Sequence, residues 1–291
     1  MTALKDIKQK IRGVSTTQQI TRAMKMMSTA RLGRAMEQIH LTRSYIAKLE
    51  QIVYSLRDQM PPNYRHPFLT PRPVKAAAFV IIGGERGLCG GFNIELNRFA
   101  HSIVEESEAP NKKLIVIGKK AVKFFAKKSF EILQNYEDLT VRNAAEELFD
   151  VSAFIFGQFC DKKVDEINLI YTSFISPTRK YPVVQKLLPL TPLPELEKKP
   201  EVEKHQIRLS FDFTPAPTQI YNELVPRYMR HLLHRAIIES SASEQSARMA
   251  AMTSATDRAQ EIIDELHLDF NRNRQALITR EIAEVISGAE A

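Results

Sequence analysis

The sequence has 291 residues, is 44% hydrophobic, contains no Trp, 10 Gly and two cysteines, Cys89 and Cys160, and carries a formal net charge of +7. Two cysteines make neither a disulfide framework nor a metal-ligand cluster, no run approaches the ~20 apolar residues that span a bilayer, and the N-terminus (MTALKDIK) lacks the apolar core of a signal peptide. A protein of a reducing compartment is expected, soluble or at most peripheral to a membrane, and largely helical because each Gly in a helix costs ~1 kcal/mol against Ala.

The first predicted element is a long helix over residues 1–60. Residues 2–60 contain no Pro. Counting sevens from Leu4 gives Leu4, Ile11, Gln18, Lys25, Leu32, Ile39, Ile46, Val53 and Met60, with the companion series Ile7, Val14, Thr21, Ser28, Ala35, Thr42, Leu49 and Leu56. One heptad register held this long predicts a coiled-coil helix. The seam is polar at 18–28. There an apolar stripe at Ile20, Ala23, Met24 and Met27 suggests that the helix faces something else at that height. The charge is concentrated here as well. Residues 1–36 carry Lys5, Lys8, Lys10, Arg12, Arg22, Lys25, Arg31 and Arg34 against Asp6 alone. Such a helix meets an acidic protein surface, nucleic acid or lipid headgroups, or it is a solvated face.

Pro61, Pro62, Pro67, Pro71 and Pro73 stop this helix. Short Val/Ile-rich runs at 74–82, 114–117 and 166–172 then alternate with amphipathic segments at 92–106, 119–128 and 144–162. This alternation predicts a parallel-type sheet covered by helices, a Rossmann-like α/β domain over 70–212. Residues 183–190, bracketed by Pro182 and Pro189, suit an edge strand. Residues 191–205 (TPLPELEKKPEVEKH) read as a linker, and 211–215 (FDFTP) as a short extended piece.

The last predicted element is a helix within 213–291. Residues 227–287 contain neither Pro nor Gly, enough for ~90 Å of helix at 1.5 Å per residue. Met249, Met252, Thr256, Ala259, Ile263, Leu266, Phe270, Asn273 and Leu277 repeat at 3 and 4, and Ile278, Ile282 and Val285 continue on a rotated stripe. Residues 240–256 are dense in Ala and Ser, which allows close backbone approach. Amphipathic helices take most of their stability from packing, so the two terminal helices are expected to pair, antiparallel.

Candidate chemistry is sparse. Residues 83–93 (GGERGLCGGFN) stand where a dinucleotide-binding fold holds its phosphate loop. They match neither G-x-G-x-x-G nor a P-loop, and the second strand ends Ile117-Gly118-Lys119 without the acid that would hold a ribose. A tight turn or protein contact loop is the favoured reading. Cys89 near a helix start could be a nucleophile, but no His lies near it in sequence. His231 and His234 are one turn apart without a third ligand. Glu105-Glu106 and Glu146-Glu147 look like solvated helix faces. No nucleophile, base and acid assemble into a set.

Three segments resemble the γ subunits of rotary F-type ATP synthases: residues 7–35 (IKQKIRGVSTTQQITRAMKMMSTARLGRA), residues 85–93 (ERGLCGGFN, with Glu85 where Asp is usual), and residues 243–249 (SEQSARM) together with 271–291 (NRNRQALITREIAEVISGAEA). The similarity runs over nearly the whole chain. It implies a non-catalytic shaft with no cofactor or metal of its own, turning inside a ring of three α and three β subunits that hold the ATP sites. Its foot rests on the c-ring and the ε subunit, at the cytoplasmic face of the bacterial inner membrane. By family position Met24 and Lys25 lie near acidic β-subunit loops, within a basic collar of Arg22, Lys25, Arg31 and Arg34. Arg248, Arg274, Gln275, Thr279 and Glu281 make polar contacts inside the ring, and Ile282 and Val285 belong to an apolar tip sheathed by it. Phe211, Phe213 and Thr214 lie at the foot, Thr214 where an acid is frequent. Chloroplast-type relatives carry an insert with a regulatory cysteine pair. Residues 191–210 contain no Cys, so that regulation is expected to be missing. The competing readings are a basic coiled-coil protein that binds nucleic acid, which the charge suits, and a nucleotide-binding enzyme, weakened by the missing ribose acid.

Overall fold

The computed structural model describes residues 2–61, 64–139, 144–190 and 216–289. It divides into two compact units, one of Met1–Arg31, Leu88–Gly90 and Gln245–Ala291, the other of Leu32–Gly87 and Gly91–Glu244. Two long helices, α1 (Thr2–Asp58) and α5 (Pro217–Ala289), contribute to both.

In the larger unit, β1 (Ala76–Ile82), β2 (Asn111–Ile117), β3 (Glu131–Tyr136), β4 (Glu166–Phe174) and β5 (Lys180–Leu188) form one sheet in the order β3-β2-β1-β4-β5. The first four are parallel, and β5 runs antiparallel to β4. All seven residues of β1 (AAAFVII) are buried, as a strand covered on both faces requires. The crossovers carry α2 (Phe92–Glu106), α3 (Lys119–Phe125) and α4 (Ala144–Cys160). The main core joins Ile46, Leu49, Val53 and Leu56 of α1 to Ala78, Val80 and Ile82 of β1. Val151, Ile155 and Phe159 of α4 and Val225, Met229, Leu233 and Ile237 of α5 complete it. The heptad positions of α1 are thus the ones that meet this core.

Three details depart from the sequence reading. β3 (EILQNY) was not anticipated: it is a sheet-edge strand, mostly half-buried or exposed, and lacks the dense β-branched run of β1. α5 runs from Pro217, as the expected helix over 213–291 requires, but passes through Pro226, a proline inside the helix that the sequence reading did not remark. Pro226 removes one helical hydrogen bond, but Tyr221, Val225, Tyr228 and Met229 around it are buried and hold the turn in place. α3 ends at Phe125, leaving Lys127 and Lys128 in a turn. The predicted edge strand is β5. Pro182 is tolerated because β5 has a neighbour on one side only.

In the smaller unit, the N-terminal part of α1 and the C-terminal part of α5 pair antiparallel. Gln18 Nε2 donates to Gln260 Oε1 at 2.8 Å, and the hydroxyls of Thr21 and Thr256 meet at 2.8 Å. Thr21 and Ser28 are buried on one side of this seam, with Met252, Ala259 and Ile263 on the other. The seam therefore stays in its heptad register at 18–28 and is bridged by side-chain hydrogen bonds. The stripe at that height points outward, with Ile20 55% and Met27 49% exposed.

Candidate functional site

The collar residues stand on α1. Arg22, Arg31 and Arg34 are exposed, while Met24 and Lys25 are half-buried beside the seam. On α5, Arg274, Gln275, Thr279, Glu281, Ile282 and Val285 are all exposed. Val285 is 72% and Ile282 53% exposed, so among the described residues these two positions of the apolar tip have little cover. Arg248 differs. It is 5% exposed and engages groups of its own chain, which leaves little of it for a partner. Phe211, Phe213 and Thr214 lie outside the described residues.

The Gly-rich turn after β1 serves packing. A Cβ on Gly83 would sit 2.6 Å from Ala121 Cβ of α3, and Gly118 holds φ +99° with Gly83 O where its own Cβ would be. Glu85 accepts a 3.4 Å hydrogen bond from the Lys119 amide, and burial raises its carboxyl pKa. In the smaller unit Leu88 takes the left-handed conformation, φ 59°, with its side chain exposed, and Cys89 is buried, which removes it as an accessible nucleophile.

The strand order reverses between β1 and β4, the point where open α/β sheets bind ligands. Here α5 fills it. Ser240 Oγ donates to Ile82 O of β1 at 2.9 Å, and Ser243 Oγ to Thr172 O of β4 at 3.3 Å. Glu239 accepts from Ser173 Oγ at 3.0 Å and from the Phe174 amide at 3.4 Å. Sequence reading missed Glu239, Ser240 and Ser243 as a group. The density of small residues over 240–256 was the available signal.

The remaining candidates are structural. His231 packs edge-on to Tyr45, centroids 4.6 Å apart, and burial lowers the pKa of both His231 and His234. Glu105, Glu106 and Glu147 are exposed, and the side chain of Glu146 lies outside the described ones. Among the described residues, no three His, Cys, Asp or Glu side chains gather to hold a metal ion, and no helix is long and apolar enough to cross a membrane.

The chain matches the protein family described as ATP synthase over residues 3–291. It is 38% identical over 292 residues to the ATP synthase gamma chain of Moorella thermoacetica, covering 100% of this chain and 99% of that one. It is likewise 38% identical to the gamma chain of Gloeothece citriformis, with 100% of both covered. That alignment runs to 313 positions, longer than this chain, so the Gloeothece protein carries inserted residues. In fold the chain is similar to a chain from the cryo-EM structure of the Euglena gracilis mitochondrial ATP synthase rotor. The TM-score is 0.63 at 15% identity, over 95% of this chain and 99% of that one. Likeness this extensive, end to end in both partners, places the chain in the ATP synthase gamma-chain family.

Proposed function

We propose that this chain is the central rotor shaft of an F-type ATP synthase, carrying torque between an ion-driven c-ring and a ring of three α and three β subunits. The observation that carries this reading is the gamma-chain likeness over the full length of the chain and of its relatives. The pairing of α1 with α5, Gln18 against Gln260 and Thr21 against Thr256, supplies the shaft. In functional terms residues 1–60 and 213–291 are its two strands, and 70–212 is the foot that meets the c-ring and the ε subunit. Phe211, Phe213 and Thr214 are assigned to that foot. Arg22, Met24, Lys25, Arg31, Arg34, Arg274, Gln275, Thr279, Glu281, Ile282 and Val285 are assigned to the α/β ring, an assignment their full or partial exposure supports. The protein sits at the cytoplasmic face of a bacterial inner membrane, peripherally, through the c-ring.

The chain has no catalytic role of its own in this reading. The crevice in which a Rossmann-like sheet would hold a nucleotide is occupied by α5, whose serines take up the strand-end carbonyls. The comparisons lend nothing to nucleic-acid binding. The test is purification from the native host with identification of what accompanies the chain. Co-purified α, β and ε subunits are expected, and nucleic acid or no partner would overturn the reading. Calorimetry on the isolated chain should find no stoichiometric ATP binding, whereas micromolar binding would contradict the non-catalytic assignment.

A further inference from the structure

Inside the larger unit, one carboxylate is held by three elements at once. Glu239 of α5 is 3% exposed. Arg43 Nη2 of α1 reaches its Oε1 at 3.1 Å. Its Oε2 accepts from Ser173 Oγ at 3.0 Å and from the Phe174 amide at 3.4 Å, both on β4. The third side closes as well, since the same Arg43 Nη2 donates to Phe174 O at 2.8 Å. Each of α1, β4 and α5 is thereby bonded to the other two. A spoke runs outward from this triangle. Arg235 Nε lies 3.9 Å from Glu239 Oε1, and Arg235 Nη2 donates to Gln185 Oε1 of β5 at 3.1 Å.

Burial alone does not call for such a group. The helices and the sheet already share a large apolar core in this unit. A buried carboxylate is expensive to desolvate, and an apolar replacement for a buried ion pair is often neutral or stabilising. Apolar packing is non-directional: it resists separation of the elements more than sliding or twisting of one along another. Hydrogen bonds are directional. Four of them, along the three sides of a triangle, oppose the sliding and twisting of two helices on a sheet that apolar packing permits. A shaft needs that property where it is gripped.

Taking the rotor reading above as given, we propose that Glu239 is a positioning residue for torque transfer: the Glu239–Arg43–Ser173/Phe174 triangle is the joint that locks both shaft helices to the sheet. It acts through Arg43 and the end of β4, and touches no ring subunit.

The test pairs the full-length chain with the assembled complex. Glu239→Gln keeps the shape and an acceptor but removes the charge. Arg43→Met removes the opposite corner, and serves if the first variant folds poorly. Ser240→Ala is the comparator, because it deletes a bond that joins α5 to β1 only. By hydrogen exchange on the isolated chain, the Phe174 amide should exchange about tenfold faster in Glu239→Gln, the loss expected when a charged acceptor is weakened. In the assembled complex, with the α/β ring immobilised and a bead fixed to the foot, Glu239→Gln and Arg43→Met should each widen the angular fluctuation. The double variant should add nothing further, and Ser240→Ala should stay near wild type. Unchanged fluctuation in both corner variants, or an equal widening in Ser240→Ala, would overturn the joint. A wild-type chain that fails to assemble with α and β would instead remove the rotor reading together with the mechanical role, leaving only the bonds that hydrogen exchange reports.

Discussion

The polar stretch of the seam makes a quantitative prediction at Thr21 and Thr256. Their hydroxyls lie 2.8 Å apart, and each also lies within hydrogen-bond distance of a carbonyl on its own helix, Gln18 O at 2.9 Å and Met252 O at 2.7 Å. Two hydroxyls own two protons, so of these three contacts only two are made at a time, one of them across the seam. Thr21→Val or Thr256→Val keeps the volume and deletes the cross-seam bond, at a net cost of ~1 kcal/mol partly offset by the added methyl. The double substitution removes both polar partners and should be nearly neutral, since nothing is left unpaired. With each single substitution costing up to ~1 kcal/mol and the double nearly nothing, the coupling energy in the four-corner cycle is ~1–2 kcal/mol in magnitude. Denaturant unfolding of the full chain, followed by helical signal, measures it. Additivity within ~0.3 kcal/mol would show that the hydroxyls do not bond across the seam.

Lys25→Glu should still assemble but couple ion flow to ATP synthesis less efficiently. Exposed ion pairs are worth ~0.2–1 kcal/mol, and the defect should ease near 1 M salt, where the Debye length is ~3 Å; wild-type coupling at every salt concentration would reduce the collar to a solvated face. Removing residues 288–291 should leave assembly intact, whereas Ile282→Asp should weaken it by putting a charge where the ring covers an apolar tip; co-purification with α and β reads both, and equal yields would refute the sleeve. Stability of the chain should fall on acidification in two stages. Burial lowers the His66 pKa, so below the unfolded value of ~6.5 the unfolded chain takes up a proton that the folded chain refuses. Burial also raises the Asp165 pKa, but the Lys75 and Ala76 amides and Arg72 outweigh it and leave the net value lowered. Its contribution is present above the unfolded carboxyl pKa and is lost as pH falls through the folded one. Burial lowers His231 and His234 in the same direction, so replacing His66 by Gln should shrink the first stage, not remove it, in unfolding curves taken from pH 7 to 5, and an unchanged first stage would refute the His66 share.

Much of this architecture is legible in the sequence because burial repeats at fixed periods. Leu32, Ile39, Ile46 and Val53 recur every seven residues, as do Thr21, Ser28, Ala35, Leu49 and Leu56 of the companion series, and α1 buries all of them. The seven apolar residues of β1 announce a strand covered on both faces. What escaped reading lacked a period. β3 mixes Gln, Asn and Glu with two aliphatic residues, because a sheet edge need not be apolar. Pro226 inside α5 went unremarked, since nothing local shows that tertiary packing on both sides will hold the helix through it. Glu239 was invisible for a related reason. A lone acid on a helix is usually solvated, and only the fold brings Arg43 and Ser173, 196 and 66 residues away along the chain, to the same carboxylate.

The strand order 3-2-1-4 creates a crevice at the carboxyl ends of β1 and β4, and most chains with that order put a ligand there. This chain puts its own helix there. The residues at that point of α5 are Ser240 and Ser243, small enough to bring the helix backbone close and polar enough to satisfy the carbonyls of Ile82 and Thr172 that a close helix would otherwise strand. A ligand could enter only by lifting a helix whose neighbouring turns are buried almost all round. The same occupancy that removes the ligand site anchors α5 to the centre of the sheet. In this chain the exposed basic and apolar groups, Arg22, Arg31, Ile20 and Met27 on α1 and Ile282 and Val285 on α5, lie on the two helices that a surrounding ring would grip.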